Sequence, residues 1–253
     1  MTLLVLMYHK ISEITDPSRI PRFQRHLSQL AAKYPIMTPG ESVPQGRLGL
    51  CLSFDDAYYD FYQHVFPLLK NLNIKAVLGI PTAFIQDSSS VAPERRLRVP
   101  YPDGLSLDPK VQAQVPLCTW AELREMTQSG HVYPASHSHT HANLGLNPEN
   151  PGSPNWDQEI CHSQTRLQDR LGVSIDTFVY PYGRLSPEAH RRVRAHYRFG
   201  MRIGSALNRG WSHPEGLIYR LDADPLWLQG KSIGPGLCAL AYLKFLWNRL
   251  RGK

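Results

Sequence analysis

Leu48-Gly49-Leu50-Cys51-Leu52-Ser53-Phe54-Asp55-Asp56 is a short stretch, apolar on nearly every residue, that runs without a spacer into two adjacent carboxylates. Apolarity at both odd and even positions marks a strand covered on both faces, as in a parallel sheet. Similar brief runs recur at 3–8, 75–80, 131–136, 177–180, 199–203 and 217–221. Between them lie segments with helix punctuation. Thr119-Trp120-Ala121-Glu122 has the form of a capping box and opens a helix that Gly130 would close. Ser153-Pro154 and Ser186-Pro187 place proline at a first helical position, with Gly172 as the stop of the earlier helix. Strand–helix alternation along the chain predicts one α/β domain, either a barrel or an open sheet.

The rhythm breaks between 86 and 116, where the run Ser88-Ser89-Ser90, three arginines and several prolines read as an insertion at one end of the sheet. It is expected to be a loop, flexible beside the site or simply solvated. The opening 1–9 reads as a first strand and not a leader, and no stretch approaches the length of a membrane span, so a cytoplasmic address is expected.

The 253 residues are 42% hydrophobic and 19% charged, a globular balance, and the net charge of +7 favours acidic partners. No basic run with interleaved aromatics marks a nucleic-acid surface. Cys51, Cys118, Cys161 and Cys238 are far apart without a C-x-x-C pair, as expected of reduced thiols.

Four polar clusters fall at strand ends, the edge where α/β folds gather their sites. Neighbouring strand residues point to opposite sides, so one of Asp55 and Asp56 can hold a cation while the other handles protons at the substrate. A helix cap plus a solvated carboxylate is the plainer use of such a pair. His137-Ser138-His139-Thr140-His141 closes the next strand but one, and the spacing of four brings His137 and His141 to one side, with His139 turned away. Two imidazoles and a carboxylate are a common catalytic zinc set. Tyr180-Pro181-Tyr182-Gly183 is a turn able to present a backbone N–H to a developing oxyanion. His9 ends the first strand, where a histidine can act as a general acid near neutral pH.

Together these residues resemble the polysaccharide deacetylases, the NodB-homology group known as carbohydrate esterase family four. Ser53-Phe54-Asp55-Asp56-Ala57 looks like the family's first motif, His137-Ser138-His139-Thr140-His141 fits its second, and Tyr180-Pro181-Tyr182-Gly183 is similar to its third. The opening Leu6-Met7-Tyr8-His9 resembles a branch that includes biofilm-polysaccharide deacetylases. The resemblance implies a distorted (β/α) barrel of about seven strands, with residues 1–234 as the catalytic domain. It implies Asp55 as general base, Asp56, His137 and His141 as ligands of a divalent ion (most readily Zn2+), and His9 as the acid, with His213 the alternative donor. Tyr182, presented by Pro181, would join in holding the oxyanion. The implied reaction is de-N-acetylation of an N-acetyl-sugar in a glycan or a lipid-linked intermediate. Hydrolysis of another C–N bond on the same scaffold, or a silent carbohydrate-binding module, are the alternatives.

The sequence departs from the family pattern in three places. Ala57 replaces a glycine, and Tyr180 stands where many members carry an arginine that tunes the base. The later motifs are indistinct, leaving Arg220, Asp222 and Trp227 as loose candidates. Beyond the likeness, residues 235–253 predict an amphipathic helix with Lys244, Asn248 and Arg251 on one side and Leu240, Leu243, Trp247 and Leu250 on the other. That pattern suits either a last helix packed on the barrel or peripheral contact with an anionic membrane.

Overall fold

The computed structural model describes residues 2–13, 15–146, 152–212 and 216–250. Seven strands, β1 Thr2–Tyr8, β2 Leu48–Phe54, β3 Ala76–Ile80, β4 Val132–Ser136, β5 Thr177–Val179, β6 Phe199–Ile203 and β7 Leu217–Asp222, form a closed barrel in chain order. All pair in parallel, and β1 closes the ring by pairing with both β2 and β7. Closure decides between the two architectures that alternation left open.

The period of two sorts the strand residues. Leu3, Val5, Cys51, Val77, Ala135, Val179, Met201 and Ile218 cluster inside the barrel, while Leu4, Leu6, Leu50, Leu52, Leu78 and Phe178 join the layer under the helices. The inward parity turns polar when followed to the C-terminal edge: Cys51 leads to Ser53 and Asp55, Ala135 to His137, and Ile218 to Arg220. Val77 leads to Gly79, where an added Cβ would meet the His137 side chain at 3.4 Å, so this glycine leaves the imidazole its room. On β1, β2, β4 and β7 one side of the strand thus supplies both the apolar plug and the polar mouth.

The outer helices begin with α1 Arg19–Lys33 and α2 Phe66–Leu72. Within the segment 86–116 lie α3 Pro93–Arg98 and α4 Pro109–Gln112. This segment is solvent-exposed along much of its length, yet it is a tethered arm. Lys10 Nζ donates to the carbonyls of Leu97 and Val99, and buried Arg96 forks onto Glu122 at 2.6 and 2.9 Å. Glu122 also completes the capping box with Thr119 at the start of α5 Trp120–Gln128.

α6 Ser163–Leu171 ends at Gly172 in a left-handed conformation, as expected. Its helical turns open at Asp157 and not at Pro154, because the Asn155 side chain accepts from the N–H groups of Asp157 and Gln158 and so caps the segment. α7 Pro187–His196 starts at Ser186, whose hydroxyl accepts from Ala189 N–H. α8 Asp224–Leu228 follows β7 at the mouth.

α9 Pro235–Leu250 crosses the opposite end of the barrel. Leu207 N–H donates to the Ala241 carbonyl, and Tyr242 and Phe245 border Thr2, the first residue of β1. Ala241 and Phe245 are buried, with Leu237 and Cys238 partly so. The face bearing Leu240, Leu243 and Trp247 is instead exposed, so the stripe read as the apolar side does not pack on the barrel. The side chains of Asn248 and Leu250, and all of Arg251, lie outside the described residues. All four cysteines are unpaired, and no helix among the described residues is long and apolar enough to cross a membrane.

Candidate active site

At the barrel mouth His9, Asp55, Asp56, Tyr101, His137, His141, Tyr182 and Ile203 line one small cavity of about 170 Å³. Asp56 is 1% exposed, yet neither of its oxygens has a hydrogen-bond partner. Burying an ionised carboxylate bare is costly, and such groups are normally paired or bound to metal. Facing Asp56 Oδ1 are His137 Nε2 at 3.3 Å and His141 Nε2 at 3.4 Å. His137 Nδ1 lies 2.8 Å from the Val179 carbonyl, which can only accept, so the proton sits on Nδ1 and the Nε2 lone pair points at Asp56. Burial pushes His141 down to about 4, which keeps it in the neutral, ligating form. The three donor atoms lie within 4.8 Å of one another, a set that fits a divalent ion.

Left-handed backbone makes this convergence possible. Asp56 at φ 71°, Ala57 at 52°, Ser138 at 63° and His141 at 57° turn the chain sharply after β2 and β4. Such conformations are costly for residues other than glycine and persist where the surroundings enforce them. Ala57 therefore holds a left-handed conformation that glycine would reach without strain.

Asp55, the neighbouring carboxylate, lives in the opposite environment. Arg220, itself 0% exposed, grips it through Nη1–Oδ1 at 2.5 Å and Nη2–Oδ2 at 3.0 Å, and Nη1 also donates to Ser53 Oγ. Burial works to raise the Asp55 pKa, but the Arg220 guanidinium outweighs it and holds the carboxyl down at about 2.

His9 sits across the cavity with Nδ1 2.8 Å from Asp224 Oδ2, and Trp227 Nε1 donates to the other oxygen at 3.1 Å. Burial opposes a charge on His9. The Asp224 hydrogen bond and the charges of Asp55, Asp224 and Asp56 more than compensate, pushing its pKa up to about 9. Asp222 accepts from Asp224 N–H and so braces the same pair.

Tyr182, at φ 57° in the turn that opens at Pro181, is 60% exposed and rests against His141. Tyr101, from the arm, leans over His9 with ring centroids 5.1 Å apart. His139 stays out of the cluster, its Nδ1 2.8 Å from Thr82 Oγ1, as its parity implied. His213 lies outside the described residues.

A family model described as polysaccharide deacetylase matches residues 43–203. The chain belongs to the polysaccharide deacetylase family. Among curated relatives, the Bacillus subtilis (strain 168) protein YxkH is 25% identical over 229 residues, covering 86% of this chain and 68% of its own. Solved structures share the fold. IcaB from Ammonifex degensii aligns with TM-score 0.66 at 17% identity, over 90% of this chain and 95% of that one. A de-N-acetylase from Aggregatibacter actinomycetemcomitans gives 0.65 at 20%, over 88% and 96%. A polysaccharide deacetylase from Bacillus cereus gives 0.66 at 17%, and there the chain covers 88% of itself but only 65% of the other.

For a polysaccharide deacetylase the arginine missing at Tyr180 is now accounted for. Tyr180 turns outward, its hydroxyl 2.7 Å from His190 Nδ1, and Arg220 on β7, one strand removed from β2 across β1, reaches Asp55. Of the loose candidates, Arg220 touches Asp55, while Trp227 and Asp222 act on Asp224. Asp224 and Tyr101 were not singled out from the sequence. Asp224 follows β7 by two residues and could have been found by treating 217–224 as a fifth strand end. Tyr101 sits in an irregular segment that offers no periodic cue.

Proposed function

We propose that this chain hydrolyses the acetamido group of an N-acetyl-sugar in a glycan, releasing acetate, with a divalent ion held by Asp56, His137 and His141. The observation that carries this reading is the bare, buried Asp56 carboxylate facing two imidazole lone pairs, beside a second carboxylate that is fully engaged. Zinc is the first choice of ion on donor type, although the set also suits other first-row divalent metals. When bound, the ion supplies Lewis-acid polarisation of the amide carbonyl and a lowered pKa for water.

The remaining steps fall to the chain. Asp55 is held ionised and in one orientation by Arg220, and it accepts the proton of the attacking water. The backbone N–H of Tyr182 donates to the developing oxyanion. His9, kept protonated through neutrality by Asp224, passes its proton to the departing nitrogen, which otherwise would have to leave as an amide anion. The substrate is a sugar unit of a polymer or of a lipid-linked intermediate whose acetamido group reaches the mouth.

The test is mass spectrometry of N-acetylglucosamine oligomers incubated with purified, zinc-loaded protein, alongside an acetate assay. Loss of acetyl groups with matching acetate is expected. Intact oligomers at every metal tried, with acetylated lipid-linked sugars equally untouched, would overturn the reading.

A further inference from the structure

The two imidazoles facing Asp56 are oriented by different means. His137 follows β4 directly, and the Val179 carbonyl fixes its ring through Nδ1. Metal-binding histidines ordinarily have their second nitrogen held in this way. His141 is instead met by the rings of His137 and Tyr182, with centroids 4.8 and 4.7 Å away. Among the described residues no hydrogen bond orients its ring. The direction of His141 is therefore set by the backbone that carries it.

That backbone is strained. Ser138 at φ 63° and His141 at φ 57° are both left-handed, a cost that persists only where the surroundings enforce it. The enforcing group is Glu159, a carboxylate 2% exposed that takes no part in the hydrolytic steps. Its Oε2 accepts from the N–H groups of His139 at 2.9 Å and Thr140 at 2.8 Å, and its Oε1 accepts from Thr140 Oγ1 at 2.6 Å. Two successive N–H groups behind a left-handed residue form a concavity suited to an anion, and a charged acceptor binds them more strongly than a neutral one.

The carbonyls of the same loop are held from the β3 side, where Thr82 N–H donates to Ser138 and Ala83 N–H to His139. Glu159 is anchored in turn. Ser163 Oγ lies 2.7 Å from its carbonyl oxygen and 2.8 Å from Ser136 Oγ, on the residue before His137. Strand, loop and the turns leading into α6 thus brace one another around the second ligand.

We infer that Glu159 is a positioning residue of the metal site, holding the loop 138–141 in the left-handed form that turns His141 toward Asp56 and His137. The inference rests on the metal reading above and deepens it. Three side chains hold the ion, while the strength of the site depends on a fourth that does not line the cavity.

The experiment measures zinc affinity of the full chain by competition with chromogenic chelators, with thermal unfolding of the zinc-free protein alongside. Glu159→Ala should weaken zinc binding by roughly 10–100-fold, the usual cost of removing a group that orients a metal ligand. Glu159→Gln keeps the shape and one acceptor oxygen without the charge, so its affinity should fall between wild type and Glu159→Ala. Phe245→Ala, at the opposite end of the barrel, lowers stability generally and should leave zinc affinity within about twofold. Because Glu159 acts through His141, removing it in a His141→Ala background should cost no further affinity. These readouts need no turnover, so their failure is separate from failure of the deacetylase reading. Wild-type protein that binds no zinc would overturn the metal reading and this inference with it. Equal affinity in wild type and Glu159→Ala, an equal loss in Phe245→Ala, or a full further loss in the His141→Ala background would each overturn the inference alone.

Discussion

The two ends of the barrel are built from the same strands yet differ in what a side chain there is for. At the lower end the inward residues Leu3, Cys51 and Val77 are apolar and meet one another. At the upper end the same parity delivers His9, Asp55 and His137 to one small cavity. A substitution below should change stability and leave chemistry alone, while one above should change chemistry out of proportion to any change in stability. The lesson is that two residues of strand register separate packing from catalysis, and that charges tolerated at the mouth are those that have partners.

The comparison is broken most severely by His137→Ala, which should remove both the ion and detectable deacetylation while the barrel still folds. A folded variant with its metal and its turnover intact would end the assignment. Asp55→Asn comes next. Turnover should fall by roughly 10²–10⁴-fold, the range of general acid–base catalysis.

Asp224→Asn is a smaller change with a definite sign. His9 works as an acid only while protonated, and its raised pKa of about 9 keeps it so until pH rises through that value. Removing the Asp224 carboxylate lowers that pKa, so the alkaline limb of the kcat–pH profile should move to lower pH. An unmoved limb would assign the proton to another donor. At the lower end Phe245→Ala should cost about 3 kcal/mol of stability or more and leave kcat within twofold. A large fall in kcat with unchanged stability would blur the distinction between the ends.

Much of this was legible in the sequence, and the reason is periodicity. Every strand was placed within a residue or two because parallel barrel strands are short apolar runs, and Asp55, Asp56, His137 and His141 stand where those runs stop. Partners brought in from elsewhere were harder to see. Arg220 is a charged residue in the middle of an apolar run, and its use depends on β7 lying next to β1 once the barrel closes. Asp224 becomes the partner of His9 through the same closure, 215 residues away in the chain. On α9 the apolar stripe was legible, but helical spacing alone did not tell which face the barrel would take. Ala241 and Phe245, which look less apolar as a set than Leu240, Leu243 and Trp247, are the ones that fit against Leu207 and Thr2.

The central claim is the division of labour between two adjacent carboxylates, Asp56 for the ion and Asp55 for the proton. It is tested most directly by metal content per chain, measured by plasma mass spectrometry on wild type, Asp55→Asn and Asp56→Asn purified identically and dialysed against limiting zinc. The account predicts about one ion per chain for wild type and for Asp55→Asn, and a loss of at least tenfold in occupancy for Asp56→Asn. Equal retention by both variants, or loss from Asp55→Asn with retention by Asp56→Asn, would contradict it.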